Sequence, residues 1–268
     1  IHVSSVKGYN LPKTVDSNSL VVVTSISGNT KETLSVLESA KKTNAKIVAF
    51  SSGNPMKKIC EKNNIFFQEI SMIHSPRVSF TKFLFSILKT LQEVIPIHEN
   101  DIQDSISALD KTRKNIYSDN LTDDNISLKL AKWIKEIPVI YYPWGLQAAA
   151  IRFKNSLQEN SKIHVITEDV IESCHNGVVA WQTNSKVQPI LIRGYDDYIK
   201  TIERWVILKD FLKNHGIDCF EIKSVEGNIL SKIVNLIYVL DYTSIYHSVL
   251  NQIDPSPVDA IDFIKNRL

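Results

Sequence analysis

The chain has 268 residues, 43% of them hydrophobic and 22% charged, with a formal net charge of +2. That is length enough for two ordinary domains, and the composition is that of a globular protein. No dense Lys/Arg stripe offers a nucleic-acid surface, no apolar run is long enough to span a bilayer, and no secretory signal opens the sequence, so a cytoplasmic protein is expected. Cys60, Cys174 and Cys219 are widely spaced and odd in number, which suggests neither a disulfide framework nor a zinc site.

In chain order, residues 1–6 and 20–24 read as strands, 31–43 as a helix, 45–50 as a strand, 56–63 as a helix and 65–69 as a strand. Leu20-Val21-Val22-Val23 is a continuous apolar run of the kind a parallel strand covered on both faces requires. Residues 80–94 carry Phe80, Phe83, Leu84, Ile87, Leu88 and Leu91 on one helical stripe. Residues 97–124 read as a connection, part helical over 100–117 and then a polar loop. The alternation then restarts: helix 127–136, strand 139–142, helix 146–158, strands 162–166 and 187–191, helix 195–214, strand 218–222, and helices 229–251 and 259–268. Strands alternating with helices point to an α/β fold with parallel, doubly wound sheets. Two domains are expected, 1–126 including the connection and 127–268.

The first strand runs into Ser25-Ile26-Ser27-Gly28-Asn29-Thr30-Lys31-Glu32-Thr33-Leu34. A polar turn between a strand and a helix start is a natural anion site, because the first helical N–H groups have no partner inside the helix. Gly28 lets the backbone come close to a ligand, and Ser25, Ser27 and Thr30 can add hydroxyl hydrogen bonds. Asn29 with Glu32 fits a helix cap and its reciprocal partner. Neither a Gly-x-Gly-x-x-Gly fingerprint nor a Walker lysine is present, so a small phosphorylated metabolite is the expected guest rather than a nucleotide. The loop Ser51-Ser52-Gly53-Asn54-Pro55 has the composition of a second ligand-facing turn. Cys174 beside His175 does not read as a nucleophile and its base, since adjacent side chains point in different directions.

Ser25-x-Ser27-Gly28-Asn29-Thr30-x-Glu32-Thr33 resembles the phosphosugar-binding motif of sugar isomerase (SIS) domains. Gln158-Glu159-Asn160-Ser161-Lys162, Glu172-Ser173-Cys174-His175-Asn176 and the closing segment Asp254-Pro255-Ser256-Pro257 through Lys265 are similar to segments of the bifunctional phosphoglucose/phosphomannose isomerases of archaea and bacteria. The resemblance implies two tandem SIS-type, Rossmann-like domains. It also implies an earlier strand ending in Gly-Gly-Ser, which is not found between Ile1 and the cradle, so the first domain is expected to be N-terminally truncated.

The implied activity is interconversion of glucose 6-phosphate, and of mannose 6-phosphate, with fructose 6-phosphate through a cis-enediol, with no metal or redox cofactor. Ser25, Ser27 and Thr30 are then expected to hold the phosphate, Glu159 to shuttle the proton and His175 to open the ring. Arg77 and Lys265 are expected to stabilise developing charge. His175 is expected to reach a neighbouring subunit's site, which implies a homodimer. An imidazole titrates near neutrality and suits a step that both takes and gives a proton. Without the resemblance, Glu159 reads as a solvated helix-end carboxylate and Lys265 as support for its helix's C-terminal end, paired with Asp262. Two departures bear on the expectation: Gln158 stands where the family writes Asn, and Gly177 where it writes Glu. The missing Gly-Gly-Ser segment and Gly177 leave a sugar-phosphate-binding protein without turnover as one alternative; an isomerase of another phosphosugar is a second.

Overall fold

The computed structural model describes residues 1–183 and 185–267. Two compact units divide between Ile97 and His98.

In the N-terminal unit, β1 (Leu20–Thr24), β2 (Lys46–Ser51) and β3 (Phe66–Glu69) form a parallel sheet in the order β1-β2-β3, with Val22 opposite Val48 and Ala49 opposite Phe67. Parallel neighbours need crossovers, and α1 (Lys31–Ala40) and α2 (Asn54–Lys62) supply them. Val23, Leu37, Ala49, Met56 and Cys60 pack on one side of the sheet. On the other, Phe50 and Ile70 meet Phe83 and Leu91 from and just after α3 (Phe80–Thr90). Full burial of such side chains stabilises by about 1.5–3 kcal/mol each. Two expectations fail here. Residues 1–6 form no strand, and Ile1 and Val3 lie open to solvent. β1 is covered only in part on its second face, where Leu20 packs but Val22 is 41% exposed.

The C-terminal unit begins with α4 (Glu99–Ile116), a single 18-residue helix where the sequence suggests a partly helical connection. Its polar composition conceals its docking on a later helix, α9, which spans Ile229–Leu250. Asn235 Nδ2 donates to Thr112 Oγ1 at 2.7 Å and Tyr246 OH to the Ile116 carbonyl at 2.7 Å. After α5 (Ile126–Trp133), β4 (Ile137–Tyr142) opens a parallel sheet in which β5 (Ile166–Asp169), β6 (Val187–Arg193) and β7 (Phe220–Lys223) follow in the order β5-β4-β6-β7. α6 (Gln147–Ser161) connects β4 to β5. The short α7 (Val170–Ser173) and a 3₁₀ turn, Gly177–Gln182, lead toward β6, and α8 (Ile199–Asn214) joins β6 to β7. One face of the sheet carries Tyr141, Trp181, Leu191, Trp205 and Leu208. α9 is apolar over most of its circumference, as a helix enclosed by others must be. α10 (Asp259–Lys265) is the last element, and the expected last residue of that helix, Leu268, lies outside the described residues.

The strand expected at 162–166 instead begins at Ile166, and α6 continues three residues beyond the expected 158. Polar groups that look like a helix end are buried against α9. Ser156 Oγ donates to Asp241 Oδ1 at 2.6 Å, Asn160 Nδ2 to Ser244 Oγ at 2.8 Å and Ser161 Oγ to the Ser244 carbonyl at 2.9 Å. The helix stops at Lys162, whose φ of 58° is left-handed.

Candidate active site

The expected residues fall in both units: Ser25, Ser27, Thr30 and Arg77 in the N-terminal one, and Glu159, His175 and Lys265 in the C-terminal one. In the N-terminal unit the strand-to-helix turn is folded on itself. Ser25 is buried; its Oγ is 2.8 Å from Thr30 Oγ1 and accepts from the Gly28 amide at 3.1 Å. Ser27 and Thr30 are exposed. The cap is Thr30, not Asn29, and no side chain caps the helix, because the Thr30 hydroxyl turns back to Ser25. The first intrahelical bond runs from the Leu34 amide to the Thr30 carbonyl at 3.0 Å, so the amides of residues 31–33 have no acceptor within α1.

The second turn braces the first. The Ser52 amide donates to the Ile26 carbonyl at 3.0 Å and the Met56 amide to the Gly28 carbonyl at 3.2 Å. Gly28 has a φ of +67°, and a Cβ there would come within 2.5 Å of Ser51 Oγ. A Cβ on Gly53 would lie 1.7 Å from the Ser27 carbonyl oxygen. Only glycine at both places lets the two loops touch. The result is an uncapped helix start behind a hydroxyl-bearing loop, suited to a phosphate dianion.

Arg77, half-buried, sits in the turn before α3. Buried Ser79 ties that turn: its Oγ accepts from the Ile73 amide at 2.8 Å and donates to the Ser75 carbonyl at 2.9 Å.

In the C-terminal unit Glu159 is half-buried near the end of α6 and lines a cleft of about 520 Å³. Asn155, Gln158 and Lys162 share its wall, and Pro257 to Ile261 form the opposite one. Lys162 Nζ donates to the Glu159 carbonyl and, at 2.8 Å, to the Pro257 carbonyl, strapping the C-terminal segment across the cleft. Lys265 is exposed and one helical turn beyond Ile261, on the same side of α10. The fold thus brings the segment carrying Lys265 to Glu159.

His175 stands exposed on the turn between α7 and the 3₁₀ turn. Asp169 caps α7 by accepting from the Ile171 amide at 2.8 Å, the His175 amide donates to the Glu172 carbonyl at 2.9 Å, and Asn176 Nδ2 donates to Glu172 Oε1 at 2.8 Å. Cys174 faces the hydrophobic core instead, which keeps the thiol apart from His175 as a functional pair.

A bifunctional phosphoglucose/phosphomannose isomerase of Caldicellulosiruptor bescii is 31% identical to this chain, over 98% of the chain and 80% of the relative. One from Thermoplasma acidophilum is 27% identical over 97% of the chain and 79% of the relative. Residues 123–268 match the bacterial phospho-glucose isomerase C-terminal SIS domain. The chain belongs to the bifunctional phosphoglucose/phosphomannose isomerase family. Its fold is also that of a glucose-6-phosphate isomerase-like protein from Thermus thermophilus, with a TM-score of 0.66 at 14% identity over 89% of this chain and 76% of that one.

Two contributors to this isomerase's candidate site escape sequence reasoning. Lys162 lies inside a quoted motif, but its strap to Pro257 depends on a contact 95 residues away. Glu168, in β5 and beneath the His175 turn, carries no motif at all. Its one sequence signal is a carboxylate inside a strand, a place where charge is costly.

Proposed function

We propose that this sugar-phosphate isomerase interconverts glucose 6-phosphate and mannose 6-phosphate with fructose 6-phosphate through a cis-enediol. The observation that carries the reading is the cradle, where two loops locked by Gly28 and Gly53 hold an uncapped helix start beside the exposed side chains of Ser27 and Thr30. Buried Ser25 shapes the loop and orients Thr30.

In the proposed reaction His175 takes the proton of the anomeric hydroxyl and returns one to the ring oxygen, giving the open-chain aldose. Glu159 removes the C2 proton, the electron pair forms the C1=C2 bond and the C1 carbonyl pair moves to O1; O1 gains a proton and O2 loses one, and the carboxyl delivers its proton to C1 as the ketone forms at C2. Arg77 and Lys265 bear positive charge toward the enediolate, where charge accumulates. Glucose and mannose differ at C2, the carbon that loses its proton, so one enediol serves both. The protein acts in the cytoplasm as a homodimer in which His175 serves the neighbouring subunit, in keeping with its exposure and its lack of a ring hydrogen bond among the described residues. No helix among the described residues is long and apolar enough to cross a membrane.

The test is incubation of the purified chain with fructose 6-phosphate in deuterated water. Glucose and mannose 6-phosphates carrying deuterium at C2 are expected. Binding of fructose 6-phosphate without turnover would establish the non-catalytic alternative, and turnover confined to an amino-sugar phosphate would reassign the substrate.

A further inference from the structure

Beneath the His175 turn lies a carboxyl that the proposed reaction does not use. Glu168 is in register with Tyr141 across β4 and β5, so the two side chains leave the same face of the sheet. That face is packed with Trp181, whose Nε1 donates to Tyr141 OH at 2.8 Å. Glu168 Oε2 is buried there with no hydrogen-bond partner among the described residues, and burial raises the group above the ordinary carboxyl range. A buried carboxyl oxygen without a partner is costly, so its retention calls for a reason.

Gly177 supplies one. Its backbone is not in the left-handed region, so its conformation does not demand glycine. What fills the space beside it is Glu168: a Cβ at 177 would lie 2.6 Å from Oε2 and 3.4 Å from Cδ, so a side chain there would have to displace the carboxyl end. The carboxyl occupies the space in which a side chain at 177 would begin. The turn is held by the Glu172–Asn176 hydrogen bond, and His175 lies within it.

We propose that Glu168 is a positioning residue for His175, filling from β5 the space beneath the turn that Gly177 leaves open. The consequence for turnover rests on the role given to His175 above. The placement of the turn does not.

The experiment therefore reads both in the full-length chain. Glu168→Ala is expected to lower kcat at least tenfold with KM within twofold, and to shift the His175 ring resonance in NMR. Glu168→Gln, which fills the same space, is expected to keep kcat within threefold. The exchange Glu168→Ala with Gly177→Glu refills that space from the turn and is expected to restore both kcat and the resonance. Wild-type kcat and an unmoved resonance in Glu168→Ala would overturn the proposal, as would a folded exchange variant behaving like Glu168→Ala. If Glu168→Ala alone does not fold, a folded exchange variant with the wild-type resonance supports the proposal and an unfolded one overturns it. Wild-type protein without isomerase activity would remove the catalytic role and leave the resonance to decide the placement.

Discussion

The cradle of the N-terminal unit is held by main chain: Ser52 and Met56 amides bond carbonyls of the facing loop, and Gly28 and Gly53 allow an approach that no side chain could share. The cleft of the C-terminal unit is held by side chains, with Glu159 on one wall, a short helix exposed at every described residue on the other, and Lys162 strapping the two. A phosphate is recognised by a fixed set of donors, so rigidity favours its binding. Proton transfer between adjacent carbons needs a carboxylate that can reach both, and a wall that adjusts is no handicap. The two constructions should therefore fail differently under mutation.

The largest effect is expected from Glu159→Gln. Loss of a general base costs about 10²- to 10⁴-fold in rate, with little change in stability, because Glu159 lies on an open cleft. Steady-state kinetics beside a thermal melt decide this; a melt lowered in proportion to activity would make Glu159 structural. Gly53→Ala is the counterpart in the cradle. Its Cβ meets main chain 1.7 Å away, which cannot swing aside. Overpacking of this kind costs about 1–3 kcal/mol, and affinity for inorganic phosphate should fall in step with stability. Intact phosphate binding in a destabilised Gly53→Ala would break the link between the two loops.

The same contrast explains what the sequence discloses. β1 and the turn after it are legible because apolar runs and glycine-bearing turns are local signals. The Thr30 cap is misread as Asn29 because the choice depends on a hydroxyl five residues back, Ser25, drawing Thr30 inward. The end of α6 is misplaced because Asn160 and Ser161, polar and apparently terminal, are bonded to Ser244 on α9. α4 resembles a linker because it docks partly through hydrogen bonds, which hydropathy does not register. Among the candidate site residues, Glu159, His175 and Lys265 emerge through their motif neighbours. Glu168 remains hidden because its significance is a contact with Gly177, nine positions later in the chain.

Smaller effects sharpen the comparison. Ser25→Ala removes the buried link between Gly28 and Thr30 and should cost about 1 kcal/mol, with phosphate affinity falling several-fold. Lys162→Met keeps the aliphatic stem but loses the strap to Pro257. Stability should change by less than about 0.5 kcal/mol, as for most exposed positions, while amide exchange in α10 accelerates. Unchanged exchange there would mean that the strap does not hold the cleft's outer wall.

The smallest effect concerns Glu168 and pH. Because burial raises its folded-state pKa above the unfolded value, the folded chain holds this proton more tightly. Between the two values the folded state carries more protons than the unfolded one, so this group's contribution falls as pH rises through that window and stays at its lower level above it. Glu168→Gln cannot ionise and lacks the dependence. Denaturation midpoints of the two proteins should coincide at a pH below the ordinary carboxyl range and diverge toward neutrality, with Glu168→Gln the more stable. A parallel pair of pH profiles would mean that water reaches the carboxyl and that its ionised form is not excluded from the space beneath Gly177. A diverging pair would tie the cost of burying Glu168 to the residue whose missing side chain makes room for it.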